Sequence, residues 1–155
     1  MIQIREMRSS EISTVASMCA DFSREVAPSR ATSLEINDFV SAVNTILERN
    51  GKVILATRAS DLVLVGFMVI AEREALISGG PYLELSDLYV IPEERNQGVG
   101  ALLVEHAKEF CRSYGTNRLA LSTGEPNHSA APNTFYLRQG FEFIGPTFRV
   151  LVQDS

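Results

Sequence analysis

The segment with the clearest chemical potential is Arg95-Asn96-Gln97-Gly98-Val99-Gly100, which joins a predicted strand to an amphipathic helix. The first N–H groups of a helix have no partner within the helix, and they lie at the positive end of its dipole. Gly98 and Gly100 carry no Cβ, so a ligand can come close to the backbone there. With the charge of Arg95 added, this segment predicts a site for an anion such as a pyrophosphate. A plain strand–helix turn is the alternative, and the loop alone does not decide between them.

Two other kinds of phosphate-binding loop do not match this segment. A Walker loop ends in Gly-Lys-Ser/Thr, whereas Ala101 and Leu102 follow Gly100. A dinucleotide fingerprint needs a third glycine where Leu103 stands, and an acidic residue near the end of the next strand, which residues 119–122 lack. The sequence therefore argues against an NTPase and against an NAD-type oxidoreductase.

The elements that would position this loop follow from the spacing of apolar residues. Strands are predicted at 2–5, 52–57, 62–71, 82–91, 118–122, 141–144 and 147–152. Helices are predicted at 12–26, at 36–47 behind a capping-box pattern from Thr32 to Glu35, from Gly98 to Cys111, and through Phe135 to Gln139. A front half with a hairpin followed by β-α-β units indicates an α/β (α+β) fold, with a central mixed sheet and helices on both faces.

Composition excludes several classes of partner. The chain has 155 residues, a formal net charge of −5 and no cluster of Lys or Arg, which argues against nucleic acid and anionic membranes as partners. The length predicts a single domain over residues 1–155. Cys19 and Cys111 predict free thiols rather than a disulfide framework, and we expect a cytoplasmic protein. His106 and His128 are too far apart in sequence to form a metal-ligand pattern, so no metal is expected.

Two motifs together resemble a known family. The segment from Leu88 to Gly100 resembles the acetyl-CoA signature of the GNAT superfamily, Q/R-x-x-G-x-G/A after a strand ending in V-x-P. About forty residues later, Phe135-Tyr136-Leu137-Arg138-Gln139-Gly140-Phe141 is similar to the second signature, F-Y-x-x-x-G-F. The resemblance implies a GNAT-like fold over nearly the whole chain and an acetyl-CoA-dependent N-acetyltransferase, with acetyl-CoA as cosubstrate and an amine as acceptor.

The resemblance also implies roles for individual residues. The amides of Gln97, Gly98 and Gly100 would bind the pyrophosphate, with Arg95 beside it. The backbone of Val90 would pair with the pantetheine arm and offer an N–H to the developing oxyanion, and Tyr136 would protonate the leaving thiolate. The coenzyme-binding set that the resemblance implies is Leu88, Tyr89, Val90, Arg95, Asn96, Gln97, Gly98, Val99, Gly100 and one of the loop asparagines Asn127 and Asn133.

The general base has two candidates on the strand before the loop. Counting back from the glycines, Glu84 falls where the histone acetyltransferase branch keeps its catalytic glutamate, and we expect Glu84 to be the base. On an alternating strand Glu84 and Ser86 share a face while Asp87 points to the other, and a bulge between them would change this. Asp87 is the rival base, favoured by a short resemblance of Asp87-Leu88-Tyr89-Val90 to aminoglycoside 3-N-acetyltransferases.

That short resemblance suggests a small-molecule acceptor with an aminoglycoside-like amine. A protein or peptide amine is an alternative acceptor, and polyamines and amino acids are further alternatives. The alternative of a different class is a domain that binds acyl-CoA without turning it over, as a sensor or scaffold. Many relatives in the family are dimers, so a homodimer is a further expectation.

Overall fold

The computed structural model describes residues 1–123, 131–145 and 150–152, which fall into two compact units, Met1–Leu121 and Ser122–Ser155. The strands are β1 (Ile2–Glu6), β2 (Lys52–Arg58), β3 (Leu64–Ala75), β4 (Gly80–Val90) and β5 (Leu119–Ala120). The helices are α1 (Ile12–Val26), α2 (Pro28–Ala31), α3 (Ile36–Glu48), α4 (Val99–Tyr114) and, in the second unit, α5 (Ala131–Arg138).

The five strands form one sheet in the order β1-β2-β3-β4-β5. The first four strands pair antiparallel with one another, and β5 runs parallel to β4. This confirms the predicted mixed sheet. The antiparallel part consists of strands joined along the chain by hairpins or helices, whereas the parallel strand β5 is reached through the crossover helix α4.

The sheet is buried on both faces because its central strands are apolar at successive positions. On β2, Val53 and Leu55 face one side and Ile54 and Ala56 face the other, and all four are buried. α1 and α3 cover the first face, where Val53 and Leu55 belong to the same core cluster as residues of both helices. α4 covers the second face with its own buried residues, which are Val99, Leu103, Val104, Ala107 and Cys111.

Several predicted boundaries differ from the structure. The capping box lies three residues later than expected, because Asp38 rather than Glu35 closes it, accepting a 2.7 Å hydrogen bond from the Glu35 N–H. The Thr32 hydroxyl instead donates to the carbonyl of Ser29 in α2, a helix that the apolar spacing did not predict. The predicted strand at 141–144 is wrong: residues 141–145 have no regular structure, since no strand pairs with them among the described residues. The strand at 147–152 falls largely outside the described residues.

Candidate active site

The loop before α4 has the geometry of an anion site. Asn96 and Gly98 have positive φ angles of 60° and 86°, and Gly98 is the N-cap of the helix. The first helical hydrogen bond runs from the Leu102 N–H to the Gly98 carbonyl, so residues 96–101 donate to no backbone acceptor in the part of the chain that the structure describes. A Cβ built on Gly98 would meet no atom within 4 Å. The free donors and the open space fit a pyrophosphate at the positive end of the helix.

Arg95 joins this loop to the end of β4 and to α1. Its Nε donates a 2.9 Å hydrogen bond to the Val90 carbonyl, and its two terminal nitrogens lie 2.7 and 2.8 Å from the Glu25 carboxylate. Its guanidinium also lies over the Tyr89 ring, 5.4 Å from the centroid. The hydrogen bond from Arg95 lowers the pKa of the Glu25 carboxyl below its usual value. The charge of Arg95 therefore already has a carboxylate partner, and its position beside a pyrophosphate stays a prediction.

The outer edge of β4 is open towards its carboxyl end. β5 pairs with β4 only at Leu83 and Glu84, and no strand within the described ranges pairs with residues 85–90 on that side. The Ile91 N–H donates to Val65 of β3 over 2.9 Å, so the N–H groups of the alternating residues Val90 and Leu88 point away from β3. An extended ligand can therefore bind this edge as an additional strand.

A bulge in β4 determines which acidic side chains share a face. Asp87 pairs with Val69 and Leu85 pairs with Ile70, so Ser86 is an extra residue without a partner in β3. The expectation that Asp87 points away from the face of Glu84 is therefore wrong. Because one residue is inserted between them, Glu84 and Asp87 both lie on the face covered by α1 and α3.

The two candidate bases have different surroundings on that face. Glu84 is partly exposed and forms an ion pair with Arg73 on β3, with a nitrogen–oxygen distance of 3.2 Å. Asp87 accepts a 3.0 Å hydrogen bond from the Ser86 hydroxyl and lies mostly among apolar groups. Burial raises the pKa of the Asp87 carboxyl above its ordinary value; the hydrogen bond from Ser86 acts in the opposite direction, and the charge of Glu84 adds to the increase.

Asp87 also lines a cavity of about 260 Å³ between α1, α3 and the sheet. The walls are apolar or aromatic and include Phe22, Val26, Phe39, Val43, Phe67 and Val69. The Cys19 thiol lines the same cavity, and burial, with the nearby charge of Asp87, raises its pKa to about 12. The exposed residues Arg30 and Leu34, from α2 and the connection to α3, lie at its rim. Sequence reasoning missed this cavity, because its residues come from six separate helices and strands.

The second unit contains the second motif. Tyr136 is partly buried on α5, and its ring contacts Phe135 and Phe141 edge-on, at centroid distances of 5.1 and 5.6 Å. Asn133 is exposed and lies in the first turn of α5, so its expected place in a loop is wrong, because the helix already begins at Ala131. Asn127 lies outside the described residues.

Comparison with known proteins identifies the family to which the chain belongs. The fold is similar to that in the structure of AAC(6')-Iy in complex with the bisubstrate analog CoA-S-monomethyl-acetylneamine, with a TM-score of 0.79 and 18% identity over 99% of both chains. The model of the acetyltransferase (GNAT) family matches residues 15–141. The chain belongs to the GNAT family.

Two curated proteins are similar over part of their length. Streptothricin acetyltransferase of Streptomyces lavendulae is 36% identical over 63 residues, which is 41% of this chain and 32% of that protein. The uncharacterized N-acetyltransferase YhfO of Bacillus subtilis (strain 168) is 29% identical over 96 residues, 62% of each chain. The matched segments thus cover less than two thirds of either relative.

Two further observations concern membrane-spanning helices and metal-binding groups. None of the helices that the structure describes is long and apolar enough to cross a bilayer. Across the same residues there is no group of three or more His, Cys, Asp or Glu side chains placed to hold a metal ion.

Proposed function

We propose that this protein is an N-acetyltransferase that moves an acetyl group from acetyl-CoA to a primary amine of a small molecule. The observation that carries the proposal is the arrangement at the end of β4. There the open strand edge, the unpaired N–H groups before α4 and the partly buried carboxylate of Asp87 occur within one stretch of chain. The first two features fit the pantetheine arm and the pyrophosphate, and the third fits removal of a proton from the amine.

Acetyl-CoA supplies the acetyl group as a thioester. The amine nitrogen attacks the carbonyl carbon with its lone pair, so a C–N bond forms while the C–S bond breaks. The outward N–H of Val90 stabilises the negative charge that develops on the carbonyl oxygen. The attacking nitrogen loses one proton to a carboxylate, and the coenzyme sulfur leaves with the bond's electron pair and gains a proton from the Tyr136 hydroxyl.

We propose Asp87 as the base, although the sequence favoured Glu84. An alkylammonium group has a pKa near ~10. A useful carboxylate base therefore needs surroundings that bring its own pKa and the pKa of the ammonium group closer together. Burial raises the pKa of Asp87, and the same apolar cavity lowers that of a bound amine because it disfavours the charged form. Glu84, in contrast, is paired with Arg73 and partly exposed. It is the alternative base.

The test is release of free coenzyme A thiol from acetyl-CoA in the presence of a panel of amines. Wild-type kcat/KM should fall as the pH decreases through the raised pKa of Asp87, because the carboxylate becomes protonated. Asp87→Asn should abolish this acidic limb and lower the rate by about 10²-fold or more, while Glu84→Gln keeps the limb. The opposite result for the two variants would move the base to Glu84. Tight binding of acetyl-CoA without thiol release for any amine would favour a non-catalytic acyl-CoA sensor or scaffold.

We further propose that residues 1–155 form one N-acetyltransferase domain that acts in the cytoplasm, as a homodimer and without a nucleic acid partner. The net charge of −5 supports the absence of a nucleic acid partner. The two free thiols support a place in the cytoplasm. Sedimentation of the purified protein would test the homodimer.

A further inference from the structure

We infer that the acceptor is a small primary amine with an apolar body, which binds in the cavity between α1, α3 and the sheet with its nitrogen at Asp87. This inference rests on the proposed function and narrows it to a class of substrate. It departs from the aminoglycoside-like acceptor that the short sequence resemblance suggested. Three properties of the cavity carry it: its size, its walls and its charges.

The size of the cavity suits a small ligand. Pockets for drug-sized molecules enclose about 300–1,000 Å³, and this cavity has about 260 Å³. An acceptor built of several linked amino sugars exceeds that space, whereas an alkyl or arylalkyl amine fits within it. Phe22 and Phe67, which both line the cavity, contact each other edge-to-face with ring centroids 6.1 Å apart.

The walls of the cavity favour an apolar body. Phe39 and Val43 of α3, Val26 of α1 and Val69 of β3 present hydrocarbon surface to the interior. A sugar ring placed there would lose the water bound to its hydroxyl groups, and these walls offer few polar groups to replace that water. A hydrocarbon chain gains free energy from the same burial.

The charges allow one ammonium or amino group rather than several. Among the described residues that line the cavity, Asp87 is the one acid, and Arg30 at the rim adds positive charge. The neighbouring acids on α1 already have cationic partners, since Asp21 pairs with Arg24 and Glu25 pairs with Arg95. A polyamine would therefore place its additional charges against apolar walls or close to Arg30.

Asp87 connects the cavity to the reaction because it lines the cavity and is also the proposed base. Its carboxylate lines the cavity, and its own strand is the one whose outer edge is open from residue 85 to residue 90. An amine nitrogen held at Asp87 is thus next to the edge proposed for the pantetheine arm. Elongating the amine away from its nitrogen would extend it into the cavity rather than toward that edge.

The experiment measures kcat/KM by thiol release for n-alkylamines from ethyl to hexyl, with 2-phenylethylamine, spermidine and kanamycin as comparisons. The alkylamines have nearly the same basicity, so the series isolates the effect of apolar burial. We expect kcat/KM to rise by about fourfold per methylene until the cavity is full, and both spermidine and kanamycin to be poorer substrates than n-hexylamine.

A matched pair of variants locates the binding site. Ser23→Leu on α1 places an isobutyl group in the cavity, whereas Ser17→Leu makes the same change at an exposed position of the same helix. Ser23→Leu should raise the KM for n-hexylamine by about tenfold and leave the KM for acetyl-CoA unchanged, and Ser17→Leu should change neither. Thermal melts of both variants verify that they are folded.

The outcomes separate the inference from the function on which it rests. Turnover that is best with kanamycin or spermidine, or that is flat across the alkyl series, overturns the inference and leaves the acetyltransferase intact. A normal KM for n-hexylamine in the folded Ser23→Leu protein shows that the cavity is a packing void, and also overturns it. Absence of thiol release with every amine removes the proposed function and the inference together.

Discussion

Substitution of Gly98 by valine should separate coenzyme binding from folding. Gly98 has a φ of 86°, and a Cβ there points into space that is free of protein atoms within 4 Å. If that space is the path of the pyrophosphate, the branched side chain displaces it from the N–H groups before α4. A hydrogen bond to a charged group contributes about 1.5–3 kcal/mol. Loss of one such contact therefore weakens acetyl-CoA binding by about 10- to 150-fold.

The same helix provides the control. Gly115 ends α4 with a φ of 92°, and its Cβ would likewise meet nothing within 4 Å. Valine at either position is forced into the left-handed region, which costs about 1–3 kcal/mol. Gly98→Val and Gly115→Val should therefore lose similar stability, with a decrease in Tm of about 2–4 °C for each kcal/mol. Only Gly98→Val should also lose affinity.

Calorimetric titration with acetyl-CoA, together with thermal melts, measures both quantities. The reasoning about the loop fails if folded Gly98→Val binds acetyl-CoA as tightly as the wild type. It also fails if Gly115→Val loses as much affinity as Gly98→Val, because the effect would then come from helix strain and not from the blocked path.

Two further substitutions test the other proposed contacts. Tyr136→Phe keeps the ring contacts with Phe135 and Phe141 and should lower kcat by about 10²-fold without changing coenzyme affinity; unchanged turnover in a steady-state assay would show that the hydroxyl has no role. Arg95→Ala should weaken acetyl-CoA binding by an amount on the order of 1–2 kcal/mol if its charge contacts the coenzyme, whereas Glu25→Gln, which leaves Arg95 in place, should not. Equal losses in calorimetric titrations would mean that the ion pair only positions the loop.

The sequence by itself supports predictions that depend on residues close together along the chain. The loop from Arg95 to Gly100 could be interpreted as an anion site because a strand end, two glycines and a helix start follow one another within a few residues. The apolar periods of α1, α3 and α4 likewise placed these helices to within a few residues. The spacing of apolar residues and the residue types at turns are local properties, so they can be recognised without knowledge of the fold.

The sequence was insufficient to predict the face of the sheet on which a side chain lies where that face depends on the pairing between two strands. The bulge at Ser86 reverses the face on which Asp87 lies, and it arises from the register between β3 and β4. A strict alternation of faces along β4 therefore led to the wrong relation between Glu84 and Asp87. No residue type at position 86 demands a bulge, because the inserted residue is defined by its lack of a partner on the neighbouring strand.

Tertiary structure alone decided the surroundings of the candidate site. It brings Glu25 onto Arg95 across 70 positions of sequence, and it encloses the cavity beside Asp87 with α1, α2, α3 and the sheet. The sequence determined the family resemblance and the mixed sheet, and it predicted an anion site at the loop before α4, because each has a local pattern. The partner of a charge and the shape of a cavity result from contacts between distant segments, so they are decided only when the helices pack on the sheet.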